Sequence, residues 1–128
     1  MWLFTKTAAV SVVTDTGHGS RNHLLVRARS RGDIEEFMPH AKVIETPLPA
    51  DYRFRARVTR AAFTSALVKA GNEINYPNFK AAVRSYSRGH AYVRVRITWQ
   101  NAAADAGEDF AGDDAARAAA RQQKGGNA

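Results

Sequence analysis

The chain has 128 residues, a formal net charge of +7 and no cysteine. That length suits one domain able to bury roughly two thirds of its unfolded surface, and the absence of cysteine excludes a disulfide framework and a thiolate metal site. The apolar start, Met1 to Val13, is broken by Lys6, lacks a basic leader and is too short to span a bilayer, so a cytoplasmic protein without membrane contact is expected.

Trp2 to Thr14 reads as one strand, with Trp2, Phe4, Ala8, Val10 and Val12 on a common face. Asp15-Thr16-Gly17-His18-Gly19-Ser20 is turn chemistry, and His23 to Ser30 returns as a second, antiparallel strand. Ser30 followed by Asp33 resembles a capping box. Ile34, Phe37, Met38 and Ala41 then space as a helix that Pro39 holds to two or three turns. Lys42 to Thr46 is a short extended run at a sheet edge, interrupted by Pro47 and Pro49.

Tyr52-Arg53-Phe54-Arg55-Ala56-Arg57-Val58 is the clearest strand, apolar at even positions and arginine at odd ones. Thr59 is a plausible N-cap for a helix whose stripe is Phe63, Ala66, Leu67, Ala70 and Ile74. Pro77 sits where a first-turn proline belongs, and Phe79, Ala82, Val83 and Tyr86 define a third helix stopped by Gly89. Ala91 to Trp99 reads as the last strand. From Asn101 the composition turns to alanine with Phe110 as the one large apolar residue, so 101–128 is expected to be a flexible tail after a single domain at 1–100.

The order is therefore ββαβααβ. It predicts an α+β fold of ferredoxin-like character, with an antiparallel sheet of about four strands and helices on one face. The other face carries arginine. Val26-Arg27-Ala28-Arg29-Ser30-Arg31 and Val93-Arg94-Val95-Arg96-Ile97 repeat the alternation of 52–58, and pairing the three segments gathers eight arginines on one surface. Residues 1–104 hold 16 Lys or Arg against 7 Asp or Glu, whereas the tail is mildly acidic, so the basic charge belongs to the folded body.

Three readings of that face compete. The arginines are paired with Glu35, Glu36, Glu45 or Asp51 or stand solvated. They bind a polyanion. Or they dock an acidic protein or a second copy of the chain. Like charges opposite each other destabilise a sheet, so the fold does not need this face for itself. Arg88-Gly89-His90-Ala91-Tyr92-Val93-Arg94-Val95 resembles the RNP1 signature of RNA-recognition motifs, departing at His90 and Val95 and lying on the last strand instead of an internal one. A ring beside cations is how sheets hold single strands. Nucleic acid is therefore the expected partner, with Arg27, Arg29, Arg53, Arg55, Arg57, His90, Tyr92, Arg94 and Arg96 as contact residues. The alternative is a protein–protein module: a homodimer, or an adaptor or inhibitor of an acidic partner, of the kind that mobile elements encode.

A broader resemblance runs along residues 1–90. Met1-Trp2-Leu3-Phe4-Thr5, Val26-Arg27-Ala28-Arg29-Ser30-Arg31-Gly32-Asp33, Ile44-Glu45-Thr46-Pro47 leading to Asp51-Tyr52-Arg53-Phe54-Arg55, and Asn75-Tyr76-Pro77-Asn78-Phe79-Lys80 are similar to a family of small uncharacterised bacterial proteins. The resemblance implies a fold-sized unit and no mechanism.

Signals for catalysis are weak. Gly17-His18-Gly19-Ser20 lacks the lysine and following helix of a P-loop. His18, His23, His40 and His90 show no ligand spacing, so neither a metal nor another cofactor is expected. Asp33, Glu35 and Glu36 suit a first helical turn. Asn75, Tyr76 and Asn78 suit helix initiation or a contact surface at the sheet edge. A non-enzymatic binding module is the expectation.

Overall fold

A computed structural model of the chain describes residues 1–18, 21–47 and 49–105. The chain divides into two units, Met1–Ser85 and the remainder from Tyr86. The first unit is built on an antiparallel sheet of β1 (Trp2–Phe4), β2 (Ala9–Thr14), β3 (His23–Ala28), β4 (Ile44–Glu45) and β5 (Phe54–Thr59), in the spatial order β1-β2-β3-β5-β4. It also holds α1 (Asp33–Phe37), α2 (Arg60–Asn72) and α3 (Phe79–Ala82), and the second unit holds α4 (Tyr86–Asp105).

The expected first strand is two strands. Thr5 turns the chain: its amide donates to the Ala8 carbonyl at 2.8 Å, and its hydroxyl accepts from the Ala8 amide at 2.9 Å. The turn inverts the parity of what precedes it. Trp2 pairs with Ser11 and Phe4 with Ala9, so both rings lie on the face opposite Val10 and Val12. The single apolar face expected for Trp2, Phe4, Ala8, Val10 and Val12 is thereby corrected.

The remaining strands alternate as their sequences dictate. Leu24, Val26 and Ala28 of β3 and Phe54, Ala56 and Val58 of β5 are buried beside Val10 and Val12. Ile34, Phe37 and Met38 from the α1 segment and Phe63 from α2 close over them, and the Phe37 and Phe63 rings lie 6.0 Å apart. Val26 and Ile34 are fully enclosed. Each such side chain contributes about 1.5–3 kcal/mol of burial free energy.

α1 is a single turn, shorter than the sequence predicts. Gly32, not Ser30, precedes it, at φ 89°, and no side chain caps the first turn. Asp33 is buried and instead accepts from the Ala9 amide at 3.0 Å, fastening the helix to β2. Met38 leaves the helix at φ −135°, ψ 84°, outside the α region that a following proline disfavours. α2 starts as predicted, with the Thr59 hydroxyl accepting from the Ala62 amide at 3.1 Å. Ile74 lies past its end and is exposed. Asn78 caps α3 by accepting from the Ala81 amide at 3.1 Å, so Pro77 precedes the cap and is not in the first turn.

The largest correction concerns Ala91 to Trp99. These residues are helical within α4, and Gly89, expected as a stop, lies inside the same helix. A strand needs a neighbour for its amides and carbonyls, whereas a helix satisfies them internally. Arginine, glutamine and the alanines at 102–104 also favour helix. Among the described residues the order is thus βββαββααα. The α+β class and the antiparallel sheet hold, but the strand count and order differ from the four-strand expectation. The tail beyond Asp105 lies outside the described residues.

Candidate anion-binding sheet face

Register decides which arginines meet. Ser11 pairs with Arg27, Arg27 with Arg55 and Arg55 with Ile44, while Ser11 also pairs with Trp2. Directly opposite residues share a face in an antiparallel sheet. One row across five strands therefore reads Trp2, Ser11, Arg27, Arg55, Ile44. The adjacent row is Val13, Leu25, Arg57. Continuing the register beyond Ala28 and Phe54 sets Arg29 near Arg53 at the other side of the central row.

The periphery of this face is neutralised from within. Arg29 forms a two-pronged pair with Asp51, Nε to Oδ1 at 3.0 Å and Nη2 to Oδ2 at 3.1 Å. Glu45 takes Arg31 on one oxygen and Arg53 on the other, both at 2.6 Å. Arg57 pairs with Asp15 at 2.5 Å. The hydrogen bond from Arg31, helped by the charges of Arg31 and Arg53, holds the Glu45 carboxyl below its ordinary value. Arg29 does the same to Asp51, with a smaller contribution from the charge of Arg27, and the Asp51 hydrogen bond raises Arg29 in return.

The centre differs. Arg27 donates through Nη2 to the Ser11 hydroxyl at 2.8 Å, and its Nε is buried without a hydrogen-bond partner. Arg55 donates through Nε to the Tyr52 carbonyl at 3.1 Å. The Tyr52 ring lies 4.4 Å from the Arg27 guanidinium and 4.7 Å from that of Arg29. Such cation–π contacts are worth about 0.5–1 kcal/mol at exposed sites. Arg27 and Arg55 thus face each other across two strands, and their hydrogen bonds go to neutral groups. A guanidinium carries five N–H donors, so both keep donors for an incoming oxyanion.

Of the predicted contact residues, Arg27, Arg29, Arg53, Arg55 and Arg57 meet on the sheet face. His90, Tyr92, Arg94 and Arg96 belong to α4 in the second unit and not to a strand of that sheet, which corrects their assignment to it. There the Tyr86 and His90 rings lie 4.3 Å apart and Arg88 donates to the Tyr92 hydroxyl at 3.4 Å. The RNP1-like segment therefore lacks the strand on which that signature works. Of the candidate carboxylates, Glu45 and Asp51 pair with arginine as one reading anticipated.

Sequence reasoning missed Tyr52, Ser11, Asp15 and Trp2. Tyr52 shares the parity of the buried residues, but β5 begins only at Phe54, and the bend at 51–52 frees its ring to reach the arginines. Asp15 is legible from spacing only as turn chemistry. Trp2, 62% exposed, changes faces with the Thr5 turn.

Among the described residues no cluster of three His, Asp or Glu side chains could hold a metal ion, and no helix is long and apolar enough to cross a membrane. Comparison with protein-family models, with curated proteins and with solved structures finds no match to this chain.

Proposed function

We propose that the protein is a non-enzymatic binding module whose arginine face engages an anionic partner, with nucleic acid as the preferred class. The observation that carries this reading is the central pair. Arg27 and Arg55 stand directly opposite each other, hydrogen-bonded to neutral groups, inside a ring of arginines already matched to carboxylates. Two forks side by side suit a phosphate better than any neutral ligand. Trp2 lies two strands from Arg27 in the same row, about 10 Å at the usual strand spacing. That separation lets a phosphate sit on the arginines while an unpaired base stacks on the indole.

The test is fluorescence anisotropy with labelled single- and double-stranded DNA and RNA at several salt concentrations. Micromolar or tighter affinity that falls steeply with salt supports the reading, and the slope reports the phosphates engaged. No binding at low salt overturns it.

One observation favours a second reading. The arginine row ends in exposed apolar residues, Trp2 on one side and Ile44, 67% exposed, on the other. Apolar flanks around a charged centre also suit an acidic protein surface or a second copy of the chain. Size-exclusion chromatography with light scattering tests the second copy.

A further inference from the structure

The outer edge of β5 is covered for only part of its length. Arg60 donates to the Asn22 carbonyl at 2.7 Å, continuing the register in which Leu24 faces Val58, so the even residues of β5 bond towards β3. Thr46 donates to the Arg53 carbonyl at 2.7 Å, so the odd residues bond towards β4. β4 is two residues long and pairs only with Phe54 and Arg55. The amide and carbonyl of Arg57 and the amide of Thr59 therefore point to a side where β4 has already ended. A groove of about 650 Å³ lies there, between the 37–42 segment and α2. Phe37, Met38, Pro39, Val58, Ala62 and Ala66 give it an apolar lining. Lys42 and Lys69 supply its charged groups, His40 also lines it, and no carboxylate is among the lining residues.

We propose that this groove takes up an extended segment of an acidic partner protein, which adds as a short strand to the open edge of β5. Only extended backbone presents donors and acceptors at the two-residue spacing that Arg57 and Thr59 offer. The apolar lining accepts alternate side chains of such a segment. The cations favour glutamate or aspartate at the positions between, and they repel a basic segment. Arg27 and Arg55 do not line the groove, and Arg57, which does, has its guanidinium paired with Asp15, so the groove is a different site from the central arginine pair.

The probe is an N-acetylated, C-amidated heptapeptide alternating glutamate and valine, titrated into the 15N-labelled full chain and followed by NMR. Shift changes at the Arg57 and Thr59 amides, with slowed hydrogen exchange at Arg57, are expected. Lys42→Glu combined with Lys69→Glu lowers affinity by about tenfold or more, and a lysine–valine peptide does not bind. Methylating the peptide amides removes binding without touching the protein, which separates strand addition from simple charge attraction. Arg27→Gln with Arg55→Gln leaves peptide binding unchanged while weakening oligonucleotide binding, so the two sites fail independently. The proposal is overturned if millimolar peptide leaves Arg57 and Thr59 unperturbed. Equal binding of the methylated or lysine peptide overturns it too.

Discussion

Residues 53–58 and 93–97 carry the same alternation of arginine with apolar residues, yet they fold differently. In β5 the apolar side chains Phe54, Ala56 and Val58 are all buried, and the backbone is paired on β3. In α4 Val95, Ile97 and Trp99 are all exposed. Period-two alternation describes what a segment could bury as a strand. It does not supply the neighbouring strand that makes burial possible. β5 has that neighbour and also has Phe63 closing over its apolar face. α4 needs none, because its backbone bonds are internal.

The sharpest break between the two segments is energetic. Phe54→Ala should cost about 3–5 kcal/mol, because it opens a cavity under α1 and α2. Val95→Ala should stay within about 0.5 kcal/mol, as exposed substitutions do. Urea unfolding of both variants reads the contrast directly. Next in size is Gly32→Ala, which forces a side chain into the left-handed region ahead of α1. A cost of about 1–2 kcal/mol is expected, seen as a lower urea midpoint. Gly89→Ala should act in the opposite direction. Open space surrounds that position within α4, so alanine gains about 0.5–1 kcal/mol of helix stability. Circular dichroism should show equal or greater helicity. If Gly89 were instead a helix stop before a strand, the same change would lower helicity and stability.

The smallest effect is electrostatic. Glu45 and Asp51 have carboxyls depressed from ordinary values of 4.5 and 3.8 by their arginine partners. A depressed folded-state value means that stability is fully present above the unfolded value and is lost as pH falls through the folded one. Acid titration of the urea midpoint should therefore show a shallow decline below pH 4.5 that Glu45→Gln flattens. Both groups are exposed, so added salt should shrink the decline further.

Much of the first unit is legible in the sequence because its signals are local. Thr59 as a cap, Phe63 as a buried stripe residue, the β3 and β5 alternation and the short edge run at Ile44 all follow from the chemistry of a few adjacent residues. The failures are of two kinds. The Thr5 turn has no glycine or proline to announce it and is held by a hydroxyl, so parity alone gives Trp2 and Phe4 the wrong face. The α4 segment is misread because strand formation depends on a partner that no local pattern reports. The candidate site is half legible for the same reasons. Strand parity finds Arg27 and Arg55. Their neutral setting depends on Ser11 two strands from Arg55, on Tyr52 released by a bend, and on Asp15, Glu45 and Asp51 drawing off the other arginines. None of these is fixed by spacing along the chain.

Oligonucleotide affinity of two double variants tests the central claim most directly. Arg27→Gln with Arg55→Gln removes the pair on the sheet, and Arg94→Gln with Arg96→Gln removes the same charge from α4. Anisotropy with labelled single-stranded RNA, across a salt series, should show the sheet variant weakened by about tenfold or more. Its salt slope should fall by about 0.7 for each phosphate no longer engaged. The α4 variant should keep affinity within about threefold of the parent. Equal weakening in both variants, or an unchanged sheet variant, would contradict a binding centre at Arg27 and Arg55.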